Sequence, residues 1–453
     1  MLNCTRIIDT NMDITSNRTT TDIKISKIIL YVVIVAGVTG SALLSFGIGP
    51  FTLSPFRFLV FFLWIPFLGG IAIKGSVSGF YIKVKPYIGF LLVWLLYAIL
   101  SLAWAGSKVD AVKGIILLFI GSSVIFFVVV HFTEQKDFKR FYYLWLLTLT
   151  PIIGIGFWNQ FTGQQLFHYG NPANLPIAEL KQWMHIPRAT FYNKNDYATY
   201  IALSVPFIIA YMKYNGSKLK WLFGPALLLP LLYQLLLTSS RANYLAVTLG
   251  MAFWFLFFLK SRDKLKVAAV IVLAALLLVI VVPGFTHSAF EKIQTKWTNT
   301  FYSSKSNEAQ SDSSRINLIK NAFVFLVRSH GIGVGAGNFE YNMRHSRVYD
   351  TSGIVNAHNW WFEILACYGI FIFVGYLLFY GGALFYLYKA HRKLTDSSDK
   401  MISEALLVSL VVFSLASMDP SSIMDFGPQW LLFAFALGFL NYCRITQPKH
   451  SRT

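Results

Sequence analysis

The chain has 453 residues, of which 55% are hydrophobic and 13% charged, with a formal net charge of +19 at pH 7. Soluble globular domains carry about 25% charged residues, so this composition excludes an ordinary soluble domain. The basic residues fall in short clusters between long apolar stretches, which favours a membrane protein over a nucleic-acid-binding protein. The three cysteines, Cys4, Cys367 and Cys443, show no metal-binding or disulfide spacing.

Apolar stretches long enough to cross a bilayer recur along the chain. Because an unpaired backbone polar group is costly in lipid, each stretch is predicted to be a helix. The sequence therefore predicts an all-α integral membrane protein with about 12 transmembrane helices. The first helix is expected to be a retained anchor, because the residues before it are polar. The predicted spans are 28–46, 51–73, 87–104, 114–131, 141–158, 195–212, 221–238, 242–259, 267–283, 360–388, 401–418 and 427–443.

The positive-inside rule sets the predicted orientation. With the N-terminus inside, the short cytoplasmic loops are all net basic, at 74–86, 132–140, 213–220, 260–266 and 389–400. We therefore expect a multi-pass protein of the plasma membrane with both termini cytoplasmic. The corresponding segments are a cytoplasmic N-terminal segment (1–27), transmembrane helices 1–9 (28–283), a large extracytoplasmic loop (284–359), transmembrane helices 10–12 (360–443) and a cytoplasmic tail (444–453).

Two predicted outer loops, 159–194 and 284–359, exceed the about 15 residues of ordinary connectors, and loops of such length are usually functional or disordered. Within the second, Ile316–Val327 has apolar residues at helical spacing. This segment predicts an amphipathic helix lying against the outer membrane surface. No internal repeat is visible, which argues against the inverted-repeat design of many transporters.

Four arginines on the predicted outer side are candidate anion-binding groups: Arg57, Arg188, Arg241 and Arg315. A guanidinium at the membrane edge is costly unless it is paired, and its planar fork suits phosphate oxygens. Arg241 follows two serines in a very short turn between spans. Arg315 follows another serine pair, where Ser313 is predicted to cap a helix whose N-terminus favours an anion. Snorkelling or solvated arginines are the alternative interpretation.

His358 is predicted to lie at the outer mouth of the tenth span, followed by Asn359 and Glu363. An imidazole near neutral pKa can act as a general base when a neighbouring group orients it. Glu363 is five residues further on, so it does not lie directly beneath His358 on a helix. An ordinary polar residue of the membrane interface is the alternative.

The stretch Gly331–Phe339 contains four glycines. It lacks a preceding strand and a following Lys-Ser or Lys-Thr, so a tight turn beside the site is predicted and not a nucleotide-binding loop. The outer histidines show no metal-binding spacing, and no metal site is predicted. Asp419 and Asp425, in the last outer loop, are expected either to bind sugar hydroxyls or to be solvated.

Four segments, in this order, resemble motifs of the O-antigen ligase and polymerase superfamily, which includes lipid-linked glycan polymerases and teichuronic-acid synthesis proteins. Their patterns are R-x-T-x-x-N-x-N-x-x-A, S-R-G/A, G-x-G-x-G-x-F and H-N-x-x-x-E…G. They correspond to Arg188–Ala198, Ser239–Ala242, Gly331–Phe339 and His358–Gly369. The resemblance covers about residues 185–375 and otherwise extends only to hydropathy. Cys367 departs from it, because an acidic residue is expected there in many relatives.

The resemblance implies a membrane glycosyltransferase of a bacterial plasma membrane. It would transfer a glycan, with inversion, from a polyprenyl-diphosphate carrier to a hydroxyl of a glycan or lipid acceptor, without metal, nucleotide or other cofactor. The implied partners are donor, acceptor, membrane lipids and other polysaccharide-assembly proteins, and no nucleic acid. The implied catalytic residues are His358, Arg241 and Arg315, and the implied substrate-binding residues are Arg188, Arg57, Asn359 and Glu363.

A lipid-linked glycan flippase or transporter without catalysis is the second hypothesis. Such a protein is expected to place several charges along a water-filled path in mid-membrane. Apart from Arg57, the predicted spans contain few ionisable residues, and the charges collect at the outer edge. Whether the enzyme would be a polymerase or a ligase, and which sugar and linkage it would use, stay open.

Overall fold

The computed structural model describes residues 24–40, 42–49, 51–74, 81–165, 184–267, 269, 307–421 and 424–446. Within these ranges the protein is nearly all-α, as predicted. The helices are α1 (24–38), α2 (Pro55–Lys74), α3 (Lys85–Leu100), α4 (Lys108–His131), α5 (Gln135–Thr162), α6 (Lys194–Tyr214), α7 (Lys220–Thr238), α8 (Arg241–Phe258), α9 (Asn307–Arg328), α10 (Phe339–Ser346), α11 (Trp360–His391), α12 (Ser397–Ala416) and α13 (Gly427–Thr446). A short 3-10 helix, Ser101–Ala103, follows α3, and residues 261–267 are also helical.

Six helices in the described ranges are long and apolar enough to cross a membrane: α3 with its 3-10 extension, α4, α5, α7, α8 and α11. The count of 12 spans stays a prediction, and the predicted span 267–283 lies almost entirely outside the described residues. Helices α6 and α12 pack along each other, and α13 packs along α4. Their side chains are buried around almost the whole helix, so α6, α12 and α13 form the centre of the bundle.

The connection between the first two helices differs from the prediction of spans 28–46 and 51–73. Helix α1 ends at residue 38, and the strands β1 (Phe46–Ile48) and β2 (Phe51–Leu53) form an antiparallel hairpin. Gly40 and Gly49 have φ angles of 89° and 58°. Glycine adopts this left-handed backbone readily, and a proline follows Gly49, so helix is broken on both sides of the hairpin.

The amphipathic helix of the large loop exists as α9, but it begins at Asn307 and not at Arg315. The prediction that Ser313 caps it is therefore wrong, because the preceding residues include good helix formers and no proline or glycine. Some of its apolar side chains pack against other helices, and its position at the outer membrane surface stays a prediction. Phe325 contacts Phe339 of α10, and Phe323 contacts the α11 side chain of Phe362.

Helix α11 is broken near its start at Gly369, which has φ 74° and ψ −177°. The break leaves the carbonyl groups of Ala366 and Cys367 without their helical partners. The backbone N–H groups of Val334 and Gly335 donate to these two carbonyls at 2.8 and 3.0 Å. The glycine-rich stretch is thus a tight turn, as the sequence predicts, and it hydrogen-bonds to a broken helix, which the sequence does not predict.

Candidate active site

The turn between α7 and α8 brings a serine into the interior. Ser239 ends α7 in the left-handed conformation with φ 56°, and Ser240 is the N-cap residue of α8. A serine at this position ordinarily accepts a hydrogen bond from the helix backbone. The Ser240 hydroxyl makes no such bond and instead donates to the carboxylate of Asp419. The Ser240 side chain therefore forms a tertiary contact and does not cap its own helix.

Asp419 lies in the connection between α12 and α13 and is 1% exposed. Its Oδ1 accepts a hydrogen bond from Nη2 of Arg315 at 2.7 Å, which forms an ion pair. Its Oδ2 accepts from Ser240 and from Nδ2 of Asn243 at 3.1 Å. A buried carboxylate is stable only with such partners. Of the two alternatives predicted for Asp419, solvation is therefore wrong, and sugar binding is not tested.

His358 joins the same centre through the backbone of Asp419. Its Nδ1 lies 3.0 Å from the Asp419 carbonyl oxygen. A carbonyl only accepts hydrogen bonds, so Nδ1 carries the hydrogen and Nε2 keeps its lone pair when the ring is neutral. His358 has φ 45°, a strained backbone for a non-glycine residue. We refer to Asp419, Arg315, His358, Ser240 and Asn243 as the Asp419 cluster.

Burial lowers the pKa of His358 below its usual value near 6.5, and the nearby Arg315 adds to the effect. The hydrogen bond to the Asp419 carbonyl acts in the opposite direction. The net result favours neutral imidazole, because an uncharged ring loses less on leaving water. Neutral imidazole is the form in which Nε2 can accept a proton.

The N-terminus of α6 lies against this cluster. Asn193 caps the helix, accepting hydrogen bonds from the backbone N–H groups of Asn195 and Asp196 at 2.8 Å. The Asn195 side chain donates to the Asp419 carbonyl oxygen at 3.3 Å. Lys194 interacts electrostatically with Asp419, Arg188 and Arg315. Positive charges from two separate segments, 188–194 and α9, therefore lie near one buried carboxylate.

The four predicted arginines differ in how close they lie to the Asp419 cluster. Arg315 is in the cluster, and the buried Arg188 is within electrostatic reach of it through Lys194. Arg241, the first residue of α8, is exposed and directly follows Ser240. Arg57 instead forms an ion pair with Asp425 and donates to the carbonyl of Thr52 in β2. Its guanidinium therefore joins the hairpin to the 424–426 segment.

The other two predicted substrate-binding residues take different positions. Asn359 is the N-cap of α11, and its side chain accepts from the N–H groups of Trp361 and Phe362 at 3.1 and 3.4 Å. Its observed contacts are therefore those of a capping residue. Glu363 instead faces a cavity of about 90 Å³ beside the cluster, together with Glu340 and Lys113. Their binding roles stay predictions.

Sequence reasoning missed Ser240, Asn243 and Asn195 as members of the site and left the role of Asp419 undecided. One signal was available, because Asp419 precedes a proline in a short connection, predicted to be outer, within an otherwise apolar region. The sequence contains no such signal for Asn195 and Asn243, because a polar residue near a helix end is usually a capping residue. In the described ranges, no group of three or more His, Cys, Asp or Glu residues is arranged to hold a metal ion.

Comparison with known proteins agrees with this arrangement of residues. The family model described as O-Antigen ligase matches residues 225–380, which include Arg241, Arg315 and His358. The chain is also 30% identical over 435 residues to the teichuronic acid biosynthesis protein TuaE of Bacillus subtilis (strain 168). That alignment covers 94% of this chain and 86% of the relative. The chain therefore belongs to the O-antigen ligase family of membrane proteins.

Proposed function

We propose that this protein is a glycosyltransferase that moves a glycan from a polyprenyl-diphosphate carrier to an acceptor hydroxyl at the outer face of the bacterial plasma membrane. The reaction would serve cell-surface polysaccharide synthesis, of which the TuaE relative, named for teichuronic acid biosynthesis, is an example. The observation that carries the proposal is the contact of Asp419 with both Arg315 and His358. This contact supports the proposal, because a guanidinium suits phosphate oxygens and an imidazole can act as a base, and both are held by the same residue.

The proposed reaction needs a base for the acceptor and a positive environment for the leaving group. The acceptor oxygen attacks the anomeric carbon of the donor sugar while the bond from that carbon to the diphosphate oxygen breaks. The hydroxyl proton goes to Nε2 of His358, and the bonding electrons leave with the diphosphate. Attack from the side opposite the leaving group inverts the anomeric centre.

Arg315 suits the leaving group because only part of its guanidinium is engaged. Nη2 binds Asp419, the side chain is 38% exposed, and Nε and Nη1 have no hydrogen-bond partner in the described structure. These N–H groups are available to phosphate oxygens. Arg241 and Lys194 add positive charge at the same end of the bundle. Cations placed where charge develops lower the barrier without a separate general acid.

The test is a transfer assay with the purified full chain, a lipid-diphosphate-linked glycan donor and EDTA. Arg315→Lys keeps the charge but loses the bidentate fork, so we expect a loss of roughly 10²-fold in transfer at normal protein level. His358→Ala should lose about 10²–10⁴-fold in rate and still bind donor. Arg328→Lys, at the other end of α9, is the matched control and should keep full activity.

The second candidate, a flippase without catalysis, predicts a different result. It would move the lipid-linked donor across proteoliposomes and release no diphosphate carrier. Full transfer by both Arg315→Lys and His358→Ala, or a reaction abolished by EDTA, would contradict the proposed mechanism.

A further inference from the structure

A polar cavity of about 90 Å³ lies beside the Asp419 cluster, between α4, the glycine-rich turn and α11. This volume equals that of about three water molecules, at about 30 Å³ each in the liquid. Three acidic side chains and one lysine line it: Asp110, Glu340, Glu363 and Lys113. The cavity therefore offers hydrogen-bonding groups of both signs within a space that admits one edge of a sugar ring.

Tyr368 of α11 lines the same cavity and is 2% exposed. Its hydroxyl has no hydrogen-bond partner in the described part of the protein. Leaving a buried hydroxyl unpaired is unfavourable, and buried polar groups in folded proteins nearly always have a partner. The unpaired hydroxyl is an observation independent of the acidic residues, and it indicates that a polar molecule completes the cavity.

The cavity is next to the candidate base and separate from the arginines. Ala357, which precedes His358, and Ser421, two residues after Asp419, both line it. His358 interacts electrostatically with both Arg315 of the cluster and Glu340 of the cavity lining. The Asp419 cluster contains an arginine, whereas the lining of the cavity contains three carboxyl groups, one lysine and no arginine. Carboxyl and phenol groups hydrogen-bond to sugar hydroxyls, whereas a guanidinium is the better partner of a diphosphate.

Close backbone contacts give the cavity a fixed wall. A side-chain carbon on Gly114 of α4 would lie 2.8 Å from the backbone nitrogen of Gly337, so glycine permits the contact. Glu340 is held by Arg344 at 2.9 Å and by Asn356 at 2.6 Å. In contrast, the Glu363 carboxylate has no hydrogen-bond or ion-pair partner in the described ranges, so it can accept from a ligand. The cavity thus combines a rigid frame with two available polar groups.

We propose that this cavity is the binding site for the acceptor sugar, with Glu363 accepting hydrogen bonds from its hydroxyls and Tyr368 donating or accepting one more. The proposal rests on the proposed function and deepens it. The attacking hydroxyl of a sugar held here faces His358, while the donor diphosphate occupies the arginine side. Acceptor and leaving group are thereby bound in two separate places, the acceptor by carboxyl and phenol groups and the leaving group by a guanidinium.

The test measures saccharide binding without transfer. The probe is the repeat saccharide released by mild acid from the producing cell's own polymer, free of lipid and diphosphate. Its affinity for the full chain in nanodiscs is measured by saturation-transfer NMR, with inorganic pyrophosphate as the second probe. We expect Tyr368→Phe to weaken saccharide binding about three- to tenfold and Glu363→Gln about tenfold or more. Neither variant should change pyrophosphate binding.

Two comparisons make the result decisive. Tyr386→Phe, on an exposed part of the same helix, should leave saccharide affinity unchanged. Arg315→Lys should weaken pyrophosphate binding and leave saccharide binding intact. Saccharide affinity unchanged in both cavity variants, or no saccharide binding by the wild-type chain, would overturn the assignment. Because no transfer is measured, this failure is separate from a failure of the proposed reaction.

Discussion

Asp419 makes two contacts with residues that are far from it in the sequence. Its carboxylate fixes Arg315, and its carbonyl oxygen fixes the tautomer and orientation of His358. The first contact depends on side-chain charge, whereas the second depends on the backbone alone. A substitution at this position can therefore separate the arginine from the histidine. Asp419 is a positioning residue in the proposed mechanism, because it would touch neither substrate.

Asp419→Asn removes the charge and keeps the side-chain shape. We expect transfer to fall about 10²-fold, because a small displacement of a substrate-binding group can cost that much. Stability should change little, since the Arg315 side chain is 38% exposed and can be solvated. Transfer rate and thermal unfolding of the same preparation provide the measurement. Asp350→Asn, on an exposed surface loop, is the control, and full activity of Asp419→Asn would contradict the assignment.

The pH dependence of transfer follows from the lowered pKa of His358. Neutral imidazole is the active form, so the rate should be constant above about pH 6.5, the usual pKa of histidine. It should fall only below that value, as the ring protonates at its lowered pKa. A rate profile between pH 4.5 and 8, a range chosen around the usual value, measures this. An acid limb above pH 6.5, or one retained in His358→Ala, would assign it to another group.

At the scale of elements, the break in α11 joins two sequence motifs. Gly369 uses a backbone conformation that is essentially restricted to glycine, and a side-chain carbon there would collide with the carbonyl oxygen of Gly331. Backbone N–H groups of the turn that begins at Gly331 donate hydrogen bonds to the carbonyl groups that the break leaves without helical partners. The two glycine motifs are therefore one structural unit, and the orientation of the cavity depends on it.

Gly369→Ala should prevent this unit from forming. Backbone strain alone costs about 1–3 kcal/mol, and the collision adds to it. We expect a lower unfolding temperature and a lower yield of folded protein, measured by thermal unfolding in detergent. Gly381→Ala is the matched control on the same helix, because nothing lies within 4 Å of the added carbon. Equal unfolding temperatures for the two variants would show that the break is dispensable.

The sequence predicts helices well where a regular apolar run decides the structure. It predicts poorly where a contact between residues distant in sequence determines the local structure. The sequence shows the turn containing Ser240 only as a short connection between spans, whereas the partner of the Ser240 hydroxyl is 179 residues away. The serine pair before Arg315 resembles a helix cap, although α9 already begins at Asn307. The ends of the predicted spans 28–46 and 51–73 fall within the hairpin, because apolar residues alone do not distinguish short strands from helix.

On the scale of the whole molecule, the site occupies one end of the bundle. The start of α6, the α7–α8 turn, the start of α11 and the end of α12 meet there. The charge pattern assigns all four to the outer side, so the contacts and the positive-inside rule agree with one another. Which side of the membrane this end faces is a separate, testable prediction.

Cysteine labelling of intact cells tests that orientation. With an impermeant thiol reagent, we expect a cysteine at Ser304 to be labelled and one at Ser397 to be protected, because 284–359 is predicted outside and 389–400 inside. Labelling both variants after the membrane is opened is the control for accessibility at Ser397. Labelling at 397 and not at 304 in intact cells would invert the topology and move the proposed reaction to the cytoplasm.

The position of Asp419 also has a consequence for biosynthesis. Its partners Asn195, Ser240, Arg315 and His358 all precede it in the chain. Chains leave the ribosome N-terminus first, so these residues emerge before the carboxylate that gathers them. An incomplete chain already in the bilayer has its arginines but lacks the arrangement that joins them to the histidine. Under the proposed mechanism, the nascent protein would therefore stay inert towards lipid-linked sugars until its last helices are being made.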